Sequence, residues 1–233
     1  MKIFRFTAAI ALAGCMLVQV GCSSMTNTGK GALIGGGGGA GVGAALGAII
    51  GGGKGAAIGA GIGAAVGTGA GALIGNKMDK QQKQLEKDLA DKAKVEETTD
   101  QNGLRAIKVT FNGGILCPTN GTTLSASAKT ELSRFAQSLI GNPDTNVQIY
   151  GFTDDTGTMA VNQRVATGRA DAVLTYLLNS GVAANRLYAQ ALPMQDYIAS
   201  NATAEGRAQN RRVEIYITAN QAMIDKANAG TLK

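Results

Sequence analysis

The apolar positions change their period several times along this chain, and each change marks a different kind of segment. Phe6 to Gly21 holds sixteen residues without a charge, preceded by Lys2 and Arg5. A short basic start followed by an uncharged run predicts an export signal over residues 1–21. From Gly29 to Gly75 only Lys30 and Lys54 are charged, and glycine recurs every fourth position: Gly35, Gly39, Gly43, Gly47, Gly51, then Gly59, Gly63, Gly67, Gly71 and Gly75. On an α-helix those positions form one bare stripe, with Ala, Ile, Leu and Val on the other faces. Residues 76–102 turn to Lys, Gln, Glu and Asp, with Met78, Leu85 and Leu89 as sparse apolar positions. They predict a polar helical linker, a tether that holds the following domain away from a membrane.

Beyond that linker the pattern is that of a folded domain, expected over residues 103–233. Alternation at Ile107, Val109 and Phe111, a turn at Asn112-Gly113-Gly114 and an apolar run Ile115-Leu116-Cys117 predict two strands flanking a turn. Leu132, Phe135, Ala136 and Leu139 have helical spacing, and Gly141-Asn142-Pro143 ends that helix. Val147 to Phe152 reads as a strand. Val161 to Leu178 reads as a helix with a core stripe at Ala166, Ala170, Val173 and Leu177, closed by Gly181. Leu187 to Leu192 and Val213 to Ile217 complete the set. The order β-α-β-α-β-β predicts an α/β (α+β) sandwich with one modest core.

The glycine-rich segment is an internal repeat. Gly29-Lys30-Gly31-Ala32-Leu33-Ile34-Gly35 aligns with Gly53-Lys54-Gly55-Ala56-Ala57-Ile58-Gly59, and residues 29–75 hold 21 of the 34 glycines. Small residues at every fourth position let two helices approach closely where lipid removes any hydrophobic drive between them. In water the same glycines would each cost about 1 kcal/mol relative to Ala. The expectation is a helical hairpin turning at Gly51-Gly52-Gly53-Lys54, membrane-associated, with spanning and oligomerisation through the hairpin left open. A flexible linker is disfavoured by the Leu, Ile and Val content. Ahead of it, Gly21-Cys22-Ser23-Ser24 looks like a bacterial lipobox, so Cys22 is the expected lipidation site and residues 22–28 a lipid-anchored N-terminus. Leu12-Ala13-Gly14-Cys15 is the alternative, and an uncleaved anchor helix a further one. With Cys15 removed and Cys22 acylated, Cys117 is left without a disulfide partner and reads as a buried strand residue.

Composition narrows the chemistry. The 233 residues contain no His, which removes Ser-His-Asp triads, His-ligated metals and the commonest general base. No metal site, cofactor or catalytic residue is expected. A net charge of +6 tolerates an anionic partner, but 4% aromatic residues and no dense Lys/Arg cluster give nucleic acid little to stack on.

The candidate binding chemistry gathers at strand ends. Thr153-Asp154-Asp155-Thr156-Gly157 follows the strand ending at Phe152, where α/β sheets commonly place ligand groups. Arg169 lies on the next helix, two turns after Asn162 and on nearly the same face, so a loop carboxylate and a helix guanidinium are able to converge. Asn210-Arg211-Arg212-Val213-Glu214 opens the last strand. An Asp in a turn also serves as an Asx-turn, and a helix Arg as a surface ion-pair partner.

Taken together, Gly151-Phe152-Thr153-Asp154-x-x-Gly157, Asn162, Arg169-Ala170 and Asn210-Arg211-Arg212-Val213-Glu214 resemble the OmpA C-terminal-like domain, over roughly residues 103 to 218. With the lipobox and glycine zipper the whole chain resembles OmpA-family lipoproteins. That resemblance implies non-covalent binding of peptidoglycan through the diaminopimelate of its stem peptide, on the periplasm-facing side of the outer membrane. It assigns the ligand's ammonium to Asp154 and its carboxylate to Arg169, an acceptor-only anion and a donor-only fork. It adds hydrogen bonds from Thr156 and Asn162 and a second cation from Arg211, leaving Arg207 and Arg212 to hold the domain together. Val165-Ala166 stands where the family usually has Leu-Ser, and Cys117-Pro118 where Phe-Asp is common, so the pocket rim near Cys117 departs from the family pattern. The expected function is a wall-binding tether, without enzymatic activity. The alternatives are a wall-acting enzyme, whose resources would be carboxylates such as Asp154, Asp155 and Glu205, and a pore or stator built on the hairpin. The second would need an ionisable residue in the membrane helix, and the repeat contains no Asp or Glu.

Overall fold

A computed structural model of the chain describes residues 66–233 apart from residues 67, 91, 101, 119 and 120. The expected signal, the lipidation candidates Cys15 and Cys22 and nearly all of the glycine hairpin lie outside the described residues.

Five strands form one sheet: β1 (Lys94–Thr99), β2 (Arg105–Asn112), β3 (Thr145–Phe152), β4 (Leu187–Leu192) and β5 (Arg212–Ala219). Their spatial order is β1-β2-β5-β3-β4. All neighbours run antiparallel except β3 and β4, which the helix between them joins in parallel. The helices are α1 (Thr68–Asp88), the single turn α2 (Gly113–Leu116), α3 (Ala126–Gly141), α4 (Met159–Asn179), α5 (Ala204–Asn210) and α6 (Gln221–Asn228). The expected β-α-β-α-β-β series is therefore present as β2-α3-β3-α4-β4-β5.

One face of the sheet is dry. Ile107, Val109 and Phe111 of β2, Val147 and Ile149 of β3 and Val213, Ile215 and Ile217 of β5 pack against Leu132, Phe135 and Leu139 of α3 and Val173 and Leu177 of α4. The stripes read from the sequence are the stripes that are buried. Helix starts are capped as their residue types favour: Ser125, Thr158, Thr203 and Asn220 each accept a backbone N–H three residues on. Arg186, in a 3-10 turn before β4, donates to the Leu139, Asn142 and Thr145 carbonyls and locks the end of α3 to the start of β3. β3 and α4 touch at Gly151, where a Cβ would lie 2.2 Å from the Ala166 carbonyl oxygen.

Three expectations need correction. Residues 76–102 are not a spacer. α1 runs to Asp88 and buries Ala70, Ile74, Met78 and Leu85 in the domain core, joined by Leu89 just after it, and β1 then adds an edge strand to β2. The charges that suggested a solvated tether lie on the outer face of α1 and on β1, where Arg105 pairs with Asp79 and Glu97 and Lys108 with Glu96. α1 also starts inside the expected second arm of the hairpin. There a Cβ added at Gly69, Gly71 or Gly75 would meet nothing within 4 Å among the described residues, while Ala70 and Ile74 face the domain.

Second, Ile115-Leu116-Cys117 is not a strand. β2 already has β1 and β5 as neighbours, and the chain turns away from the sheet through α2. Gly113 makes the turn, donating to the Arg211 carbonyl at 2.6 Å; a Cβ there would stand 2.0 Å from that oxygen. Cys117 is buried as expected, but at the end of a helical turn. Third, α5 and α6 extend the structure where no helix was expected. α6 closes the core with Met223, Ile224 and Ala227.

Candidate functional site

β3 ends at Phe152 and delivers Thr153 and Asp154 into a loop that is buried at its base and exposed from Asp155 onward. Asp154 is 6% exposed. Its Oδ1 accepts the Thr156 N–H at 3.0 Å, an Asx-turn, and its Oδ2 accepts from Arg211 Nη1 at 2.6 Å. Burial alone would raise this carboxyl. The Arg211 hydrogen bond, the Thr156 N–H and the Arg211 charge override burial and hold it below the ordinary value.

Asn162, one turn into α4, donates through Nδ2 to the carbonyls of Thr156 at 2.9 Å and Thr158 at 3.1 Å. Its amide hydrogens are spent on the loop, so it sets the shape of the Asp154 loop. Thr156 likewise contributes backbone groups to that shape and lies exposed.

Arg169 follows Asn162 two turns along α4 and is 1% exposed. Nε donates to the Gly121 carbonyl at 3.1 Å and Nη2 reaches toward the Pro118 carbonyl at 3.5 Å. Nη1 is buried with no hydrogen-bond partner among the described residues. Burial depresses this guanidinium and the Arg211 charge adds to that, while Cys117 and the Asp154 carboxylate oppose it. Arg169 thus feels Cys117, Asp154 and Arg211, an electrostatic cluster in which Asp154 and Arg211 are in direct contact. The three ionised members come from three segments, the β3–α4 loop, α4 and the turn between α5 and β5.

Arg207 and Arg212 hold the scaffold, as expected. Arg207 donates to the Asn201 carbonyl at 2.7 Å. Arg212 pairs with Glu214 at 2.7 Å, donates to the Asp196 carbonyl at 2.9 Å and lies 3.8 Å from the centroid of the Phe152 ring. Sequence reasoning missed Asn210 as a staple of the 198–201 loop, although its place beside Arg211 and Arg212 in the motif was a signal. It also missed the Pro118 and Gly121 carbonyls that seat Arg169; backbone acceptors leave no trace in residue type. Among the described residues, no three His, Cys, Asp or Glu side chains are placed to hold a metal ion, and no helix is long and apolar enough to cross a membrane.

Two stretches of the chain match known protein families. The OmpA family model matches residues 118–211, and the YMGG-like Gly-zipper model matches residues 1–79. Probable lipoprotein YiaD of Escherichia coli is 42% identical over 99 residues, which make up 42% of this chain and 45% of that protein. Peptidoglycan-binding protein ArfA of Mycobacterium bovis is 40% identical over 112 residues, 48% of this chain and 34% of that protein. The matched stretch thus spans less than half the length of either relative. Among solved structures, the cell wall anchor of the T6SS from Pseudomonas aeruginosa superposes with a TM-score of 0.51 at 28% identity, covering 58% of this chain and 97% of that one.

Proposed function

From the OmpA family match over residues 118–211 we propose that the C-terminal domain grips peptidoglycan non-covalently, through the diaminopimelate of the stem peptide, as part of an outer-membrane lipoprotein that tethers the envelope to the wall. The relatives support the coarse part of this reading, since one of them is named for binding peptidoglycan and a solved neighbour is named a cell wall anchor.

One observation carries the chemistry: a buried guanidinium, Arg169, keeps one nitrogen unpartnered among the described residues within the field of the Asp154 carboxylate. An amino-acid head presents an ammonium and a carboxylate on one carbon. Asp154 takes the ammonium with Oδ2, in exchange for or alongside Arg211, while Oδ1 stays on the Thr156 N–H. Arg169 Nη1 takes the carboxylate, with Arg211 as second cation. Charge-assisted bonds of this kind are the strong ones, and the buried setting keeps water from competing. Asn162 and Thr156 hold the loop so that Asp154 does not need to be ordered on binding. Cys22 carries the acyl chains, and the glycine hairpin rests in or on the same membrane facing the periplasm.

The test is co-sedimentation of the detergent-solubilised full chain with purified sacculi. Asp154→Ala and Arg169→Ala are each expected to lose binding by about 2 to 5 kcal/mol, with an unchanged circular dichroism spectrum. Variants that bind like the parent would refute the assignment. Release of muropeptides from the sacculi would favour the enzymatic alternative. Cys22→Ala is expected to move the chain out of the outer-membrane fraction.

A further inference from the structure

The loop from Pro193 to Thr203 carries two large apolar side chains into solvent: Tyr197 is 41% exposed and Ile198 54%. The loop that carries them is fixed at several points. Met194 and Asp196 both take left-handed backbone conformations, with φ of 52° and 51°, a region that non-glycine residues adopt only when their surroundings enforce it. The Thr153 hydroxyl accepts the Met194 N–H at 3.1 Å, and Arg212 donates to the Asp196 carbonyl at 2.9 Å. Asn210, fully buried, accepts the N–H groups of Ile198 and Ala199 at 2.9 and 3.0 Å.

The position of the loop is as informative as its rigidity. Thr153, its first anchor, is the residue before Asp154. Asn210, its last anchor, is the residue before Arg211, which pairs with Asp154, and the Asp155 and Asp154 carboxylates add to burial in pushing the Tyr197 hydroxyl above its ordinary value. The backbone strain and its locks therefore hold an aromatic and an aliphatic side chain at the edge of the Asp154 site. Rigid apolar surface kept open beside a charged site is what a ligand with a charged head and a hydrocarbon arm would use.

We propose that Tyr197 and Ile198 form an apolar lip of the Asp154 site that seats the methylene arm of the diamino acid, so that the site reads the chain behind the zwitterionic head as well as the head itself. This rests on the assignment of the head to Asp154 and Arg169. The Asp154–Arg169 cluster recognises any α-amino acid head; the lip distinguishes a long diamino acid from a short one.

The experiment uses the full chain bound to sacculi and measures how much free meso-diaminopimelate, or free D-alanine, is needed to release it. The two compounds share the head; only the first has the three-methylene arm, and D-norleucine, which has a four-carbon arm and no second head, serves as the control for the second head of diaminopimelate. The parent is expected to be released at lower concentration by diaminopimelate. In the Tyr197→Ser/Ile198→Ser variant that advantage shrinks by about four- to fifteenfold, the range for losing contact with one or two methylenes, while release by D-alanine is unchanged. Tyr197→Phe keeps the advantage, because the ring and not the hydroxyl is used. A double variant with the parent's ratio overturns the lip, even if Asp154→Ala has lost sacculus binding. If Asp154→Ala binds sacculi like the parent, the charged site itself is misassigned and the lip falls with it.

Discussion

Arg211 and Asp154, 57 residues apart in the chain, meet in a hydrogen-bonded ion pair of 2.6 Å in which the carboxylate is nearly buried and the guanidinium is about a quarter exposed. The pair has a structural cause. Gly113 donates to the Arg211 carbonyl where no side chain would fit, and that contact fixes the turn from which Arg211 reaches Asp154. Arg211 thereby holds the carboxylate ionised and oriented.

Arg211→Ala is expected to raise the Asp154 pKa toward and past 3.8, the ordinary value beneath which it is now held. A depressed carboxyl stabilises the fold at pH above its unfolded value and loses that contribution as pH falls through the folded one. The parent should therefore keep this contribution down to pH 3.8 and shed it below; in the variant the contribution is gone, and a carboxyl raised past 3.8 instead costs stability as pH rises above 3.8. Carboxyl-carbon NMR titration reads the shift directly, and acid unfolding curves read the linkage. An unmoved Asp154 titration would mean that the Thr156 N–H, not Arg211, sets its ionisation.

Much of this arrangement was legible in the sequence, for reasons that also explain what was not. Ala166, Ala170, Val173 and Leu177 announced the buried face of α4, and Arg169 beside Ala170 had to lie at the margin of that face. Asp154 was visible as a loop residue at a strand end. Its partner was not, because Arg169 and Arg211 present the same charge and only the α5–β5 turn decides which one reaches it. α1 was misread because its apolar positions Ile74, Met78 and Leu85 are few and its stripe is interrupted by Gln81, which is itself buried. β1, Lys-Val-Glu-Glu-Thr-Thr, carries the charges of an edge strand and has one large apolar residue, so no alternation betrayed it.

Gln81 yields a stability prediction. It is 3% exposed in the middle of the buried stripe of α1, and neither its Oε1 nor its Nε2 has a hydrogen-bond partner among the described residues. Desolvated polar atoms left unpaired cost about 1–3 kcal/mol, and an apolar group of similar shape removes that cost. Gln81→Met is expected to raise the unfolding free energy by about 1–3 kcal/mol in chemical denaturation. Ile74→Ala, on the same stripe, should lower it by about 2–5 kcal/mol. A neutral Ile74→Ala would show that α1 is a tether after all.

At high pH the second face of the sheet becomes the weak point. Tyr150 and Tyr216 meet there edge to face with ring centroids 5.7 Å apart. Burial pushes Tyr150 from 10.0 up to about 12. Burial, followed by the Glu214 carboxylate that accepts its hydroxyl, pushes Tyr216 up as well. The folded state keeps these protons when the unfolded chain has lost them, so stability is intact below pH 10 and falls as pH rises beyond it. Each tyrosine contributes up to about 1.4 kcal/mol per pH unit. Tyr150→Phe should flatten the part of this slope between pH 10 and 12, measured by denaturation alongside phenolate absorbance. An unchanged slope would assign the alkaline loss to other groups.

The contact between β3 and α4 joins the scaffold to the site, because one turn of helix separates the Ala166 carbonyl from Arg169. A Cβ on Gly151 would stand 2.2 Å from that carbonyl oxygen, and both sides of the contact are backbone, so neither can swing aside. Gly151→Ala must push α4 away from the sheet. Overpacking of this kind typically costs about 1–3 kcal/mol of stability. The displacement also draws Arg169 away from the Gly121 carbonyl that its Nε meets at 3.1 Å and alters its distance from Asp154. Sacculus binding is expected to fall further than the stability loss alone accounts for, with the chain still fully folded at the assay temperature. Asn162→Ala, which frees the loop but leaves α4 in place, should weaken binding less. If Gly151→Ala lowers stability and leaves binding at the parent's level, the spacing of Asp154 and Arg169 is not what the ligand reads.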